Sequence, residues 1–352
     1  MGVVNIQKTY GSGSGDVLKF LDGTMTAFIC PKDIDEIYNY TFYNYGTTLR
    51  YVEIGDNIDF IGHYAFYGCN GVYSWKIPNS LHSIGQRAFC NTYSSYLYPN
   101  VKVALDFNSG TSNYTIVREY AFNNSFLLES INGNLRDVGE HAFNIGHESL
   151  LSSMHIKIQG SVGRSAFRYV RSSPENFSLD KDSNITSIGQ EAFSRWDVTG
   201  VNSGYLFDLR NSTFTQMPYG VFSYICPMSV FYLPTSVSTM DNSVFSYTSN
   251  CVYYFSSSTP PTITTETFYN NTSSTIFVPY NNINTYKTAT NWTSVAQYIK
   301  GWAPENTFSV GETLPTVNQE GYGLTWYTDR ECTTQISVVV DADVELYCVA
   351  ST

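Results

Sequence analysis

The sequence has few charged residues and no cluster of basic ones. Asp, Glu, Lys and Arg make up 14 % of its 352 residues, against roughly 25 % in ordinary soluble domains, and the net charge is −11. Because phosphate backbones and anionic lipids are bound by clustered Lys and Arg, this balance argues against a nucleic-acid partner and against docking on an anionic membrane. The surface must instead consist largely of Ser, Thr, Asn and Tyr, which favours a location outside the cytoplasm.

Long apolar runs are also missing. No stretch approaches the roughly 18 apolar residues that a membrane-spanning helix requires, so we expect no membrane insertion. The opening residues, MGVVNIQKTYGSGSGD, lack the charged-then-apolar layout of a secretory signal. We therefore expect a chain that has either lost its signal or reaches the outside without one.

Cysteine occurs only as scattered single residues. None of the seven lies in a C-x-x-C pair, and an odd, dispersed set is typical of free, buried thiols rather than of a disulfide framework. We predict mostly unpaired cysteines, with Cys332 and Cys348 as the one pair that could form a bridge. The others are Cys30, Cys69, Cys90, Cys226 and Cys251.

Motifs of catalysis and cofactor binding are absent as well. The sequence contains no G-x-S-x-G elbow, no P-loop and no HExxH motif. The stretch DKDSNITSIGQE places Asp180, Asp182, Asn184 and Glu191 at calcium-loop positions, but Ile185 stands where that loop needs glycine. We predict no catalytic residue, no cofactor and no metal. A glycan-acting enzyme remains a remote alternative, because two carboxylates that lie far apart in the sequence can come together in the folded chain.

What the sequence does have is one hexapeptide, written as IGHYAF at 61–66, IGQRAF at 84–89 and IGQEAF at 188–193. Alignment on the closing Phe gives ten anchors separated by 21 to 33 residues, most often by 23 or 24. A period of roughly 20 to 50 residues is the mark of a solenoid. The anchors are Phe42, Phe66, Phe89, Phe122, Phe143, Phe167, Phe193, Phe222, Phe245 and Phe268.

One unit, YSWKIPNSLHSIGQRAF at 73–89, shows the physics of a coil. YSWKIP alternates apolar and polar residues like a short strand, which Pro78 ends because proline cannot donate to a ladder. Leu81 and Ile84 are three residues apart, as in a helical turn, and Gly85 permits a tight bend. We predict one strand per coil, stacked in parallel with about 4.8 Å of rise, and an internal stack of the recurring phenylalanines.

The pattern I-x-x-I-G-x-x-A-F-x-x-C, with strands that end in IP or LP, resembles the BspA-like leucine-rich repeat family over residues ~35–300. The resemblance implies a leucine-rich-repeat solenoid that binds host proteins, glycans or other cells. Repeats that end at Phe222, Phe245 and Phe268 lack the IG pair, so we expect irregular coils there. The best-fitting residues are Ile58, Ile61, Gly62, Ala65, Phe66, Cys69, Leu81, Ile84, Gly85, Ala88, Phe89, Ile185, Ile188, Gly189, Ala192 and Phe193.

The two ends of the chain follow other patterns, which divides it into three regions. Residues 1–34 are expected to form an N-terminal segment and cap, in which GSGSG reads as a flexible linker and VVNIQ as an edge strand or a cloning remnant. Residues 35–300 form the solenoid, closed by a strand that ends at Pro279 and by an amphipathic helix that buries Ile283 and Tyr286. A small β-rich module follows at 301–352, with a hinge at 301–304.

The C-terminal module is similar to the Listeria–Bacteroides repeat, a β-rich module of bacterial surface proteins. Two features depart from that pattern: Thr325 stands where the family usually has glycine, and the usual final Trp is missing. The residues that carry the similarity are Gly311, Leu314, Pro315, Gly321, Tyr322, Trp326, Tyr327, Asp341, Leu346 and Tyr347.

The functional expectation is a non-enzymatic, surface-displayed binding protein whose partner is a host or bacterial surface protein or glycan. The setting is a bacterial envelope or a bacteriophage virion. Tyr93, Tyr96 and Tyr98, in an inserted loop, are the candidate ligand contacts, because tyrosine makes large contacts at low entropy cost. The alternative is a structural or decoration component of a larger assembly, which associates with itself or with virion proteins through the N-terminal segment.

Overall fold

A computed structural model describes residues 7–10, 16–19, 26–32, 34–46, 48–92, 102–125, 128–146, 150–196, 203–304, 307–309, 311–336 and 345–351. The strands of the first half are β1 (Gln7–Tyr10), β2 (Asp16–Lys19), β3 (Ala27–Ile29), β4 (Glu36–Ile37), β5 (Tyr51–Glu53), β6 (Phe60–Ile61), β7 (Ser74–Lys76), β8 (Ser83–Ile84), β9 (Val103–Phe107), β10 (Thr115–Val117), β11 (Leu128–Val138), β12 (Leu150–Leu151), β13 (Ser153–Val162), β14 (Arg171–Ser172), β15 (Phe177–Leu179) and β16 (Asn184–Ile188).

The second half is built in the same way up to residue 279 and then changes. Its strands are β17 (Leu206–Asp208), β18 (Gln216–Met217), β19 (Val230–Leu233), β20 (Thr239–Met240), β21 (Val252–Phe255), β22 (Thr275–Pro279), β23 (Ile299–Ala303), β24 (Gly323–Tyr327), β25 (Gln335–Ile336) and β26 (Leu346–Ser351). Helix α1 covers Ile283–Thr288, and one-turn 3-10 helices cover Pro174–Asn176, Tyr280–Asn282, Trp292–Ser294 and Ala296–Tyr298.

Successive coils stack in parallel, as predicted, but a coil carries two strand positions rather than one. β3, β5 and β7 pair in parallel at the first position, while β4, β6, β8 and β10 pair in parallel at the second. In β6 and β8 this second strand directly precedes the repeated glycine. The prediction of a helical turn there was wrong. Leu81 and Ile84 are both fully buried, and Ile84 lies in strand β8. The hydrogen bonds of this segment run to neighbouring coils instead of along a helix.

The ten anchor phenylalanines form one internal column, which confirms the central prediction. Every consecutive pair of rings is stacked, with centroids 4.8 to 5.9 Å apart and planes within 22° of parallel. The rings from Phe42 to Phe245 are buried, and Phe268, the last, is half-buried. Since offset stacking suits the ring quadrupole, the column adds to the burial of apolar area.

The backbone around each anchor alternates between right- and left-handed conformations, which sequence reasoning did not anticipate. Positive φ occurs two residues before the anchor at Tyr40, Tyr64, Arg87, Tyr120, His141, Ser165, Glu191, Gly220 and Ser243. It occurs two residues after the anchor at Asn44, Gly68, Asn91, Asn124, Tyr169, Arg195, Tyr224, Tyr247 and Asn270. Most of these residues are not glycine, so the turn retains a conformational strain that the packing of the column must offset.

This alternating turn is held by hydrogen bonds between coils. The N–H groups of Tyr64, Phe66 and Gly68 donate to carbonyls of the next coil at 2.9, 2.8 and 3.0 Å. The repeated glycine is required by close approach: a Cβ on Gly85 would lie 2.6 Å from the carbonyl carbon of Gly62 in the preceding coil. The side chains on either side of the anchor are therefore fixed in position by their own backbone.

The coils without the IG pair are more regular than expected. β17, β19, β21 and β22 pair in continuous parallel register, and β18 pairs with β20 in the same way. The anchors Phe193, Phe222 and Phe245 stay stacked at 5.6 and 5.9 Å. The prediction of irregular coils was wrong, because the inter-coil ladder and the aromatic column suffice to fix the coil without that glycine.

The C-terminal end of the array closes as predicted, with α1 burying Ile283 and Tyr286 and with Trp292 fully buried beside them. The hinge expected at 301–304 is largely occupied by β23. This strand pairs in parallel with β22 of the solenoid and antiparallel with β26 of the C-terminal module, which places one sheet across the junction. The boundaries of the three regions stay a prediction.

The seven cysteines form no disulfide with one another, and six of them are buried. Burial raises the pKa of both Cys90 and Cys251 to about 11, so these thiols stay protonated at neutral pH. The bridge considered between Cys332 and Cys348 is not formed, and Cys332 is only half-buried.

Candidate binding surface on the turn face

The sequence-predicted contacts Tyr93, Tyr96 and Tyr98 lie outside the described residues, and their role stays a prediction. The described residues place other tyrosines on the outside of the anchor turns. We call this surface the turn face. It consists of the solvent-facing side chains at the two positions before each anchor and at the two positions after it. Its members are set by the alternating backbone, so equivalent side chains lie above one another from coil to coil.

The first coils carry a tyrosine cluster on the turn face. Tyr40 stacks on Tyr64 with centroids 5.1 Å apart, and Tyr43 stacks on Tyr67 at 5.2 Å. The two stacks touch edge to face through Tyr40 and Tyr43 at 5.6 Å. Tyr40 remains 56 % exposed and Tyr43 40 % exposed, which leaves part of each side chain available to a partner.

A row of cation–π and aromatic contacts continues this cluster along the face. The Arg87 guanidinium carbon lies 5.7 Å from the ring centroid of Tyr64 and 4.8 Å from that of Tyr120. Tyr120 in turn stacks on His141 at 4.9 Å. Burial lowers the pKa of His141, with Arg164 adding to the effect and Glu140 opposing it, so this ring is neutral at physiological pH.

The later coils form a hollow of about 290 Å³ on the same face, which we call the tyrosine groove. It combines three kinds of lining: phenol rings, serine hydroxyls and a few charged groups. The lining residues are Glu191, Arg195, Tyr219, Ser223, Tyr224, Ser243, Ser246, Tyr247, Glu266 and Tyr269.

The floor of the groove is positioned by the repeat. Arg195, Tyr224 and Tyr247 each stand two residues after an anchor, with φ of 66°, 56° and 56°. Their N–H groups donate to carbonyls of the next coil at 2.9, 2.9 and 3.1 Å. Tyr224 stacks on Tyr247 at 4.4 Å, and Tyr269 meets Tyr247 edge-on at 5.6 Å and 71°. The stacked rings of Tyr224 and Tyr247 therefore form one surface of the groove, and the ring of Tyr269 stands at a steep angle to it.

The charges of the groove are nearly balanced. Arg195 lies 3.9 Å over the ring of Tyr224, and Glu191 accepts an ion-paired hydrogen bond from Arg168 at 3.2 Å. The carboxylate of Glu266 has no ion pair within the described part of the chain. Desolvation and the adjacent Tyr224 and Tyr269 raise the pKa of Tyr247, so its phenol is a hydrogen-bond donor at neutral pH.

A second hollow, of about 420 Å³, lies on the strand side of the middle coils. The register aligns Asp106, Asn132, His155 and Ser178 in one row across four neighbouring strands. His155 Nδ1 lies 2.8 Å from Ser178 Oγ, but across the described ranges no carboxylate hydrogen-bonds that ring. The pair therefore lacks the orienting acid of a catalytic triad, and no Phe, Tyr or Trp lines the hollow.

The described residues contain no group of three or more His, Cys, Asp or Glu side chains arranged to hold a metal ion. No helix among them combines the length and apolar character that crossing a bilayer requires.

Comparison with protein families identifies the repeats. A profile described as the BspA type leucine rich repeat region matches six copies, at residues 20–104, 94–216 and 160–294. The chain belongs to the BspA type leucine rich repeat family. The matched residues contain all ten anchors of the Phe column and every residue of the tyrosine groove. The similarity of the C-terminal module to the Listeria–Bacteroides repeat stays a prediction.

Solved structures similar to this BspA type chain are also leucine-rich repeat proteins, although no curated protein sequence matches it. The T. pallidum leucine rich repeat protein has 18 % identity and a TM-score of 0.40, and covers 54 % of this chain and 85 % of its own. A leucine rich cell surface protein of Faecalibacterium prausnitzii has 14 % identity and a TM-score of 0.37, with coverage of 76 % and 93 %. At these scores neither structure carries an argument about function.

Sequence reasoning missed the groove, although its signal was present. The inserted loop drew the prediction because three of its residues are tyrosines, Tyr93, Tyr96 and Tyr98. Reading the alignment two residues after each anchor would have shown Arg195, Tyr224 and Tyr247 in consecutive coils. That column becomes meaningful only once the left-handed backbone is known, because this conformation fixes where the side chains stand.

Proposed function

We propose that this chain is a non-enzymatic, surface-displayed binding protein that attaches to host proteins, glycans or cells through its turn face. The observation that carries the proposal is the tyrosine-rich turn face itself, with its cluster at one end and its groove at the other. Tyrosine offers large amphipathic contact area at low entropy cost, which suits a recognition surface. An extended solenoid presents such a surface without a reactive constellation.

Two further observations support this proposal. The family is one of leucine-rich repeats, for which binding is the expected role. The low content of charged residues gives a neutral polar surface suited to the outside of a cell. The proposed location is extracellular, on a bacterial envelope or on a virion.

The proposal is tested by adding the purified, fluorescently labelled chain to bacterial and host cells and measuring bound protein by flow cytometry. We expect saturable binding to at least one cell type, weakened when Tyr40→Ala and Tyr247→Ala are combined. Tyr73→Ala is the matched control, because Tyr73 is 45 % exposed but lies outside the cluster and the groove. Absence of saturable binding to every cell type would contradict the proposal.

The setting is tested separately by proteomics on purified virions and on peptides shaved from whole cells by protease. Detection only among shaved peptides places the protein on the envelope, and detection only in virions places it on the particle. Detection solely in the soluble interior of the cell would contradict surface display.

A second candidate function, a component of a larger assembly, is favoured by the N-terminal edge. β1 pairs with β2 and forms one end of the sheet, which leaves the outer side of its backbone without a strand partner in the described part of the chain. An open edge is a template for pairing with another chain. Light scattering decides between the candidates: a stable symmetric oligomer supports assembly, and a monomer that binds cells supports the first proposal.

A further inference from the structure

We infer that the tyrosine groove is a binding site for a neutral saccharide of one or two sugar units, with Tyr247 and Tyr269 as its aromatic platform. This inference rests on the proposed binding function and assigns it a ligand class and a place. The argument depends on the size of the groove, on the mixture of its lining, on its charge and on its rigidity.

The size of the groove favours a small ligand over a protein surface. Its volume of about 290 Å³ lies at the lower end of the roughly 300–1,000 Å³ of small-molecule sites. A standard protein interface needs about 800 Å² of relatively flat surface on each partner, which a hollow of this size does not supply. One or two sugar rings fit this scale, while longer chains would extend out of either end.

The lining suits a ligand that has both apolar faces and polar edges. The side chains of Tyr247 and Tyr269 are 43 % and 54 % exposed, and their rings meet at 71°, so together they offer apolar ring surface in two orientations. Ser243 and Glu266 add a hydroxyl and a carboxylate beside them. A pyranose presents C–H groups on its faces and hydroxyls around its edge. Its faces therefore suit the aromatic rings, and its hydroxyls suit the polar groups of the groove.

The charges favour a neutral ligand over an ionic one. Glu191 is already neutralised by Arg168, and the guanidinium of Arg195 is occupied over the Tyr224 ring. The remaining Glu266 would repel an anionic ligand, and it is a single exposed carboxylate, too little to select a cation strongly. Hydrogen bonding rather than ion pairing is the interaction that this set of groups offers.

The backbone beneath the groove is fixed by the repeat before a ligand arrives. The N–H groups of Tyr224 and Tyr247 donate to carbonyls of the next coil, and the two rings are stacked 4.4 Å apart. Binding therefore does not have to order the platform, which lowers the entropic cost of capturing a small, weakly bound ligand. The larger strand-side hollow offers hydrogen-bonding groups but no such platform.

The experiment is isothermal titration calorimetry of the full chain with five neutral disaccharides: cellobiose, maltose, lactose, mannobiose and chitobiose. We expect at least one to bind at a single site with a Kd in the millimolar range, as for other shallow sites. Tyr247→Ala and Tyr269→Ala should each weaken that binding about tenfold or more, while Tyr73→Ala leaves it unchanged. No binding by any of the five sugars, or equal binding by Tyr247→Ala and Tyr73→Ala, would overturn the inference.

Two matched variants separate a saccharide from a charged ligand. Glu266→Gln keeps hydrogen-bonding capacity and removes the charge, and Tyr247→Phe keeps the ring and removes the hydroxyl. Saccharide binding should survive both within about threefold and should change little between 50 and 500 mM salt. Loss of saccharide binding on Glu266→Gln together with loss at high salt would show that binding depends on the carboxylate charge, and it would overturn the inference of a neutral, hydrogen-bonded ligand.

Failure of this inference is distinguishable from failure of the proposed function. In one outcome, cell binding persists in the presence of the five sugars and after periodate treatment of the cells. That result would contradict the saccharide inference but not the proposed binding function. Cell binding that the active disaccharide abolishes supports both. Absence of cell binding, with the sugar titrations intact, contradicts surface attachment alone.

Discussion

Two columns of side chains run along the same turns, two residues apart in the sequence, and they differ in which amino acids they accept. The inner column holds phenylalanine at all ten anchor positions. The outer column, two residues further on, holds Asn44, Gly68, Asn91, Asn124, Tyr169, Arg195, Tyr224, Tyr247 and Asn270, and it is interrupted after Phe143, where Ile145 is fully buried instead. The inner position must fill the space between two neighbouring rings, whereas the outer position needs only to accept a left-handed backbone. The repeat therefore fixes the core and leaves the outer column free to carry recognition.

The largest effect is expected from breaking the inner column. Phe245→Ala should lower the free energy of unfolding by about 3–5 kcal/mol, because it opens a cavity beside Phe222, Phe231, Tyr253 and Phe268. Urea denaturation followed by circular dichroism measures this loss of stability. Phe245→Leu retains most of the side-chain volume and should therefore lower the free energy of unfolding by less. A loss below about 1 kcal/mol for Phe245→Ala would show that the column does not hold the coils together.

A smaller but clear loss is expected where the coils approach most closely. Gly163→Ala places a Cβ 2.6 Å from the backbone nitrogen of Glu140 and 2.7 Å from the carbonyl carbon of Gly139, so the coils must move apart. We expect about 1–3 kcal/mol of destabilisation, the usual cost of overpacking. Gly55→Ala is the control, since its Cβ would meet only side-chain atoms, at 3.2 Å or more. Equal effects of the two substitutions would contradict the role given to close approach.

The outer column should be far less sensitive. Tyr247→Ala removes an exposed ring two residues from Phe245, and its shift in urea midpoint should be roughly a quarter or less of the Phe245→Ala shift, as for ordinary surface substitutions. The same denaturation assay measures both variants. A stability loss comparable with that of Phe245→Ala would mean that the groove tyrosines are structural, and it would remove the basis for reading them as a binding platform.

The smallest effect is a pH dependence on the turn face. Burial lowers the pKa of folded His141 below that of an unfolded histidine, so protonation favours the unfolded chain. The contribution to stability is complete above about pH 6.5 and is lost as the pH falls through that value toward the lowered pKa. We expect the urea midpoint to drop less between pH 7.5 and 5.5 for His141→Gln than for the wild type. An identical drop in both proteins would contradict this assignment.

The sequence predicts the inner column well because its signal is redundant. The anchor Phe recurs ten times, and in six of these repeats it directly follows Ala, so the solenoid, the parallel stacking and the buried rings follow from the repeat. The second strand position was missed because Leu81 and Ile84 stand three residues apart, a spacing that both a helical turn and an extended inter-coil ladder can bury. Local spacing does not tell whether backbone hydrogen bonds run within a coil or between coils.

The sequence predicts the type of candidate site but not its location. Tyrosine richness indicated a recognition surface, but the tyrosines of the groove come from three different coils and meet only because successive turns stack in register. Tyr224, Tyr247 and Tyr269 lie more than 20 residues apart in the sequence, and their contact depends on the left-handed backbone at the first two. Neither fact can be read from composition or from one repeat alone.

Nuclear Overhauser contacts between consecutive phenylalanine rings test the central claim most directly. The sample is the full chain with protonated Phe in a perdeuterated background, and Phe→Leu variants of single anchors assign the signals. The account predicts an unbroken series of ring-to-ring contacts from Phe42 to Phe268, since every consecutive pair of centroids lies within 5.9 Å. Contacts restricted to separate, unconnected groups of anchors would contradict it.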